Sequence, residues 1–146
     1  MTGARERRPS GPDALAIEIR IAVDGVLPPA KGEAKSMLAA GHVHGQRVRS
    51  LLEAARAAMA GRELLVKPLR LSVVVRAPEG IHLNDATNLL GGIGDVLQAR
   101  RTGADVTHLG DLANVACFLD DGQISEIYYR REWVGPLGYE VVLSEL

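Results

Sequence analysis

The run Leu69–Ala77, LRLSVVVRA, sets Leu69, Leu71, Val73 and Val75 against Arg70, Ser72, Val74 and Arg76 before Pro78 closes it. Successive side chains of an extended chain point to opposite faces, so this period of two predicts a half-buried strand. The same period runs through Ala14–Val23, ALAIEIRIAV, with Leu15, Ile17, Ile19, Ile21 and Val23 on one face. Between the two strands the pattern changes. Gln46 to Ala60, QRVRSLLEAARAAMA, is rich in helix formers, aligns Val48, Leu51, Leu52, Ala55 and Met59 on one stripe, and stops at Gly61. A second helix is predicted from Asn84 to about Arg101, and a short one in the following connector around Leu109 to Ala116. Gln123–Trp133 and Tyr139–Leu143 close the chain as two strands around a turn at Gly135 and Pro136. The order β-α-β-α-β-β, with no internal repeat, predicts an α/β (α+β) fold, a small mixed four-stranded sheet with two main helices packed on it.

Composition sets the remaining limits. A chain of 146 residues, 47% hydrophobic and 24% charged, fits one soluble domain over 14–146. The polar segment MTGARERRPSGPD, residues 1–13, reads as a disordered arm. A formal net charge of −1 supplies no long-range attraction to phosphate, so nucleic-acid binding would need a local basic patch. Cys117 is the only cysteine, which excludes an internal disulfide and a thiolate zinc site and suits a reducing cytoplasm. No run reaches the ~18 apolar residues needed to span a bilayer, so no membrane partner is expected.

Chemistry enters with the second predicted helix. Leu89, Ile93, Val96 and Leu97 form its core-facing stripe, whereas Asn84, Asn88, Gly91, Gly92 and Asp95 share the other side. Each interior glycine costs about 1 kcal/mol relative to alanine, so the pair implies that something approaches the helix backbone closely. Asp85, at the helix start, is placed to cap free N–H groups. Further on, CFLDDGQISEIYYR puts Asp120 and Asp121 side by side where a strand begins. They read either as a polar turn or as ligands of a divalent cation whose charge offsets their repulsion.

In order, Asp85-Ala-Thr-Asn88-Leu89, Asp95-Val-Leu97 and Asp120-Asp121-Gly-Gln123-Ile124 resemble the RusA-type Holliday junction resolvases, whose pattern runs D-x-D-N-L-x-K, D-A-L and then D-D-x-Q before a closing strand. The resemblance covers roughly Leu15 to the C-terminus. It implies a RusA-like fold, a homodimer, branched DNA as partner and Mg²⁺-dependent cleavage of DNA junctions in recombination and repair. Carried over, it implies Asp85, Asp121 and Asp95 as catalytic residues, and Asp85, Asp121 and Asp120 as metal-site residues that converge at the sheet. Lys31, Lys35, Arg100 and Arg101, with Asn88, are the candidate DNA contacts, the basic residues forming a phosphate-tracking surface if they share a face and scattered surface charge if they do not.

The pattern has two departures. Thr87 stands where the second aspartate of D-x-D-N-L belongs, and Gly91 replaces the lysine. A neutral hydroxyl is a poorer ligand for a hard cation, and glycine offers no ammonium to a phosphate. The connector from Gln98 to Leu119 is also longer than the pattern leads one to expect. Three readings follow: a nuclease with weakened activity, a catalytically inactive branched-DNA binder, and a protein-interaction module. Two other motifs are set aside. His42 and His44, in GHVHG, lack a third ligand at recognisable spacing and read as a solvated loop, and LLGGIGD lacks the lysine and hydroxyl of a phosphate loop.

Overall fold

A computed structural model describes residues 16–31, 36–100 and 105–146. The expected arm and the start of the first strand lie outside the described residues. Six main elements follow in the anticipated order: β1 (Glu18–Asp24), α1 (Gly45–Ala58), β2 (Leu69–Arg76), α2 (Ala86–Leu97), β3 (Ile124–Glu132) and β4 (Gly138–Glu145). Short 3-10 turns occupy Thr107–Leu112 and Asp121–Gln123. The four strands form one mixed sheet in the order β1-β4-β2-β3. β4 is antiparallel to both neighbours, and β3 is parallel to β2.

The alternation read from the sequence decides which face is covered. Ile19, Ile21 and Val23 of β1, Leu69, Leu71, Val73 and Val75 of β2, and Tyr139, Val141 and Leu143 of β4 are all buried. Over that row lie Val48, Leu51, Leu52 and Ala55 of α1, with Ile93, Val96 and Leu97 of α2, whereas the expected stripe residue Leu89 is buried outside that cluster. The opposite face carries Arg20, Arg70, Arg76 and Arg130, each in an ion pair with an acidic neighbour. That face neutralises itself. Among the described residues no helix is long and apolar enough to cross a membrane.

Because β3 runs parallel to β2, the chain must cross the sheet between them, and α2 with its connector makes that crossing. The helix ends at Leu97, short of the predicted Arg101. Its last carbonyl accepts from Cys117 N at 2.7 Å, and Ala99 N then donates to Phe118 O at 2.8 Å. Pairing with the buried Cys117–Phe118 segment therefore replaces the next helical turn, despite the good helix formers at Gln98 and Ala99. Arg100 fastens the same junction, donating to Val96 O, Gln98 O and Val115 O at 3.2, 2.7 and 2.6 Å. Cys117 is a buried apolar filler, and desolvation pushes its thiol up to about 12.

Candidate functional site

α2 has two flanks with different fates. On one, the segment after β1 lies directly on the helix backbone. Lys31 N donates to Asn88 O at 3.0 Å, and a Cβ at Gly92 would stand 2.3 Å from Pro29 O. Only glycine allows that approach, so the object that needs Gly92 is the chain itself. Lys31 continues across the helix. A Cβ at Gly91 would meet its Cδ at 2.9 Å, and its Nζ reaches Asp95 Oδ2 at 3.2 Å. An ammonium thus stands beside Gly91, where the lysine of the resembled pattern is missing.

The segment is held from below by the two histidines. His44 Nδ1 accepts from Ala30 N at 2.9 Å, and His42 Nδ1 accepts from His44 N at 3.0 Å. Arg47 adds a bond to Pro28 O at 3.3 Å. His42 is buried rather than solvated, with its Nε2 lacking a hydrogen-bond partner among the described residues. These histidines serve as loop fasteners.

On the other flank α2 and β3 leave a groove of about 320 Å³, lined by Leu71, Thr87, Leu90, Gly91, Gly94, Asp121, Ile124 and Ile127. It brings Asp121 onto the same surface as the Thr87–Gly94 portion of the helix motif, across a gap of more than twenty residues in sequence. Asp121 N donates to Gln98 Oε1 at 3.0 Å, which ties the turn to the end of the helix. The Asp121 carboxylate is exposed and has no hydrogen-bond or ion-pair partner among the described residues.

The carboxylates of Asp85 and Asp95 have partners. Asp85 is the N-cap of α2: its Oδ1 accepts from Asn88 N at 2.9 Å and from Thr87 Oγ1 at 2.8 Å, and its Oδ2 accepts from Asn88 Nδ2 at 3.2 Å. The Asn88 N–H first, and the Thr87 hydroxyl second, hold the Asp85 carboxyl below the usual aspartate range. Asp95 pairs with Lys31. Asp120 precedes the Asp121–Gln123 turn, where Gln123 Oε1 accepts from Leu119 N and Asp120 N, both at 2.9 Å. Gln123 Nε2 donates to Leu65 O and Lys67 O, both at 3.0 Å. The paired aspartates therefore belong to a turn stitched down by Gln123, ahead of the strand proper.

Of the expected pair, Asp121 lines the groove, and Asp85 contacts Thr87, which lines it too. Asp85 stands before the first turn of α2, whereas Asp121 is tied to the residue just after its last. Among the described residues, no three His, Cys, Asp or Glu side chains group so as to hold a metal ion. Of the expected DNA contacts, Lys31 borders Gly91, Asn88 is committed to Asp85 and Lys31, and Arg100 turns inward. Lys35 and Arg101 lie outside the described residues. Gln98 and Gly94 were not singled out from sequence, since only the pairing of the connector with the helix end gives them their positions. No family model matches the chain, and no curated protein matches its sequence.

Proposed function

We propose that the chain is a RusA-type, Mg²⁺-dependent endonuclease of branched DNA with weakened catalysis, acting in recombination or repair as a cytoplasmic homodimer. The observation that supports this reading is the groove, which gathers Thr87, Gly91 and Gly94 of one motif and Asp121 of another. Mg²⁺ is commonly held by one or two carboxylates together with substrate phosphate and water, and the exposed Asp121 carboxylate fits that limited role. Asp121 would hold the ion when DNA brings its phosphate, and the ion would offset phosphate charge and polarise a phosphoryl oxygen. Lys31, reaching over Gly91, supplies a cation beside the same phosphate. Thr87 and Asp85 order the first turn of α2 and so fix the groove's far end.

A second reading, an inactive branched-DNA binder or protein-interaction module, is favoured by one specific observation. Asp85 and Asp95 are both engaged within the chain. The separating experiment measures binding and cleavage of a four-way junction with and without Mg²⁺. Slow Mg²⁺-dependent cleavage, abolished by Asp121→Asn with junction binding retained, supports the nuclease. Binding without cleavage supports the inactive binder, and neither binding nor cleavage leaves the interaction module.

A further inference from the structure

The sheet has two edges, and only one is suited to meet itself. At β1 the exposed positions are Glu18, Arg20, Ala22 and Asp24, and full-length antiparallel pairing of two such strands would oppose Glu18 to Asp24. Like charges directly opposite destabilise a strand pair, so this edge repels a second copy. β3 differs in both respects. Ile127 is 58% exposed, Tyr128 47% and, just beyond the strand, Trp133 61%. Among the described residues no other strand pairs with the outer edge of β3.

The charges of β3 are arranged symmetrically about its midpoint. With Tyr128 on a twofold axis normal to the sheet, Glu126 faces Arg130 of the second copy, and Arg130 faces Glu126. Ile127 faces Tyr129, Ser125 faces Arg131, and Ile124 faces Glu132. Moving the axis to Tyr129 would oppose Glu126 to Glu132, and moving it to Ile127 would leave Arg130 opposite Ile124. Register is thus specified by charge as well as by apolar match. Within each copy Glu126 already contacts Arg70 and Arg130 contacts Glu132, so the two new pairs would join these into one cross-strand network.

We infer that β3 is the edge through which two copies of this chain join antiparallel about Tyr128, merging two four-stranded sheets into one. The register shows that Leu71 of β2 neighbours Ile127, which places Ile127 and Tyr129 on the helix-bearing face. Tyr129 of the second copy therefore comes to lie against Ile127, the wall residue of the α2–β3 groove, and the second copy closes the open side of that groove. This deepens the homodimer in the proposed function, but it stands on β3 and not on DNA cleavage.

The test uses protein without DNA, so its outcome is independent of nuclease activity. Sedimentation equilibrium is expected to show a concentration-dependent dimer. Glu126→Arg and Arg130→Glu, each opposing like charges twice across the axis, are expected to weaken dimerisation about ten-fold. The double variant Glu126→Arg/Arg130→Glu restores the opposite-charge pairs across the axis while leaving both intrachain pairs broken, so recovery of the dimer reports the interface alone. As a second probe, Tyr128→Cys is expected to give a disulfide-linked dimer with oxidised glutathione, because Cα atoms directly opposite in an antiparallel pair lie ~4.5–5.5 Å apart, within disulfide reach. Gln46→Cys, on the exposed side of α1, is expected to remain uncrosslinked, and the buried Cys117 does not compete. A monomer at every concentration overturns the inference. So does a dimer that is indifferent to the charge variants and does not crosslink through residue 128.

Discussion

The two flanks of α2 use the same small residue for opposite ends. Toward the segment after β1 the helix is closed: Gly92 touches the Pro29 carbonyl, Asn88 O receives Lys31 N, and Asp95 pairs with Lys31. Toward β3 it is open, and a Cβ built at Gly94 meets nothing within 4 Å. One glycine is required by a neighbour already in place, whereas the other leaves a groove vacant within the chain. A run such as GGIG thus contains a packing requirement and a cleared surface only two residues apart.

The largest effect should come from breaking the closed flank. Gly92→Ala places a methyl group where the Pro29 carbonyl stands, so the segment must lift and give up its bond to Asn88. A loss of about 1–3 kcal/mol in urea unfolding is expected, the usual range for overpacking a tight contact. An unchanged midpoint would mean that the segment does not rest on the helix. The open flank should answer with the opposite sign. Gly94→Ala meets no obstacle and removes backbone freedom from the unfolded chain, so a gain of about 0.4–1 kcal/mol is expected. The added methyl also narrows the groove, so weaker junction binding by this more stable variant would assign the ligand to that side.

Why the flanks differ was only partly legible beforehand. The period-two runs and the helical stripes located all six main elements, because each buries one face on the same core and its sequence repeats at that geometry's period. The mixed four-stranded sheet follows from them. The end of α2 was misplaced because Gln98 and Ala99 favour a helix locally, whereas Phe118, about twenty residues later, offers them a pairing that no local pattern announces. The close approach implied by two adjacent glycines was correct, but the approaching group is the chain's own Pro29–Lys31. Asp85 was legible as a cap. The freedom of Asp121 was not, since it depends on Gln98 and Gln123 taking up the turn's backbone groups.

A smaller effect separates position from charge on the closed flank. Lys31→Met keeps an unbranched stem over Gly91 and removes the ammonium from Asp95. The pair is partly exposed, so its loss should change stability by only about 0–1 kcal/mol. Junction affinity should nevertheless fall, with a shallower dependence on salt, because Lys31 is the described cation beside the groove. Equal salt slopes for the two proteins would remove Lys31 from any phosphate contact.

The smallest effect is confined to acid and concerns Asp85. The folded-state pKa of Asp85 lies below its unfolded value, chiefly because the Asn88 N–H, and then the Thr87 hydroxyl, favour the charged form. A depressed pKa contributes stability that is present above the unfolded value of about 3.9 and is lost as pH falls through the lower folded value. Asparagine also caps helices but does not titrate. The melting temperature of wild type minus that of Asp85→Asn should therefore be constant near neutrality and decline as pH falls below about 4. A flat curve for Asp85 would show that its carboxylate does not cap α2 in the folded protein, and the contrast between an acid committed to the helix and an acid free in the groove would fail.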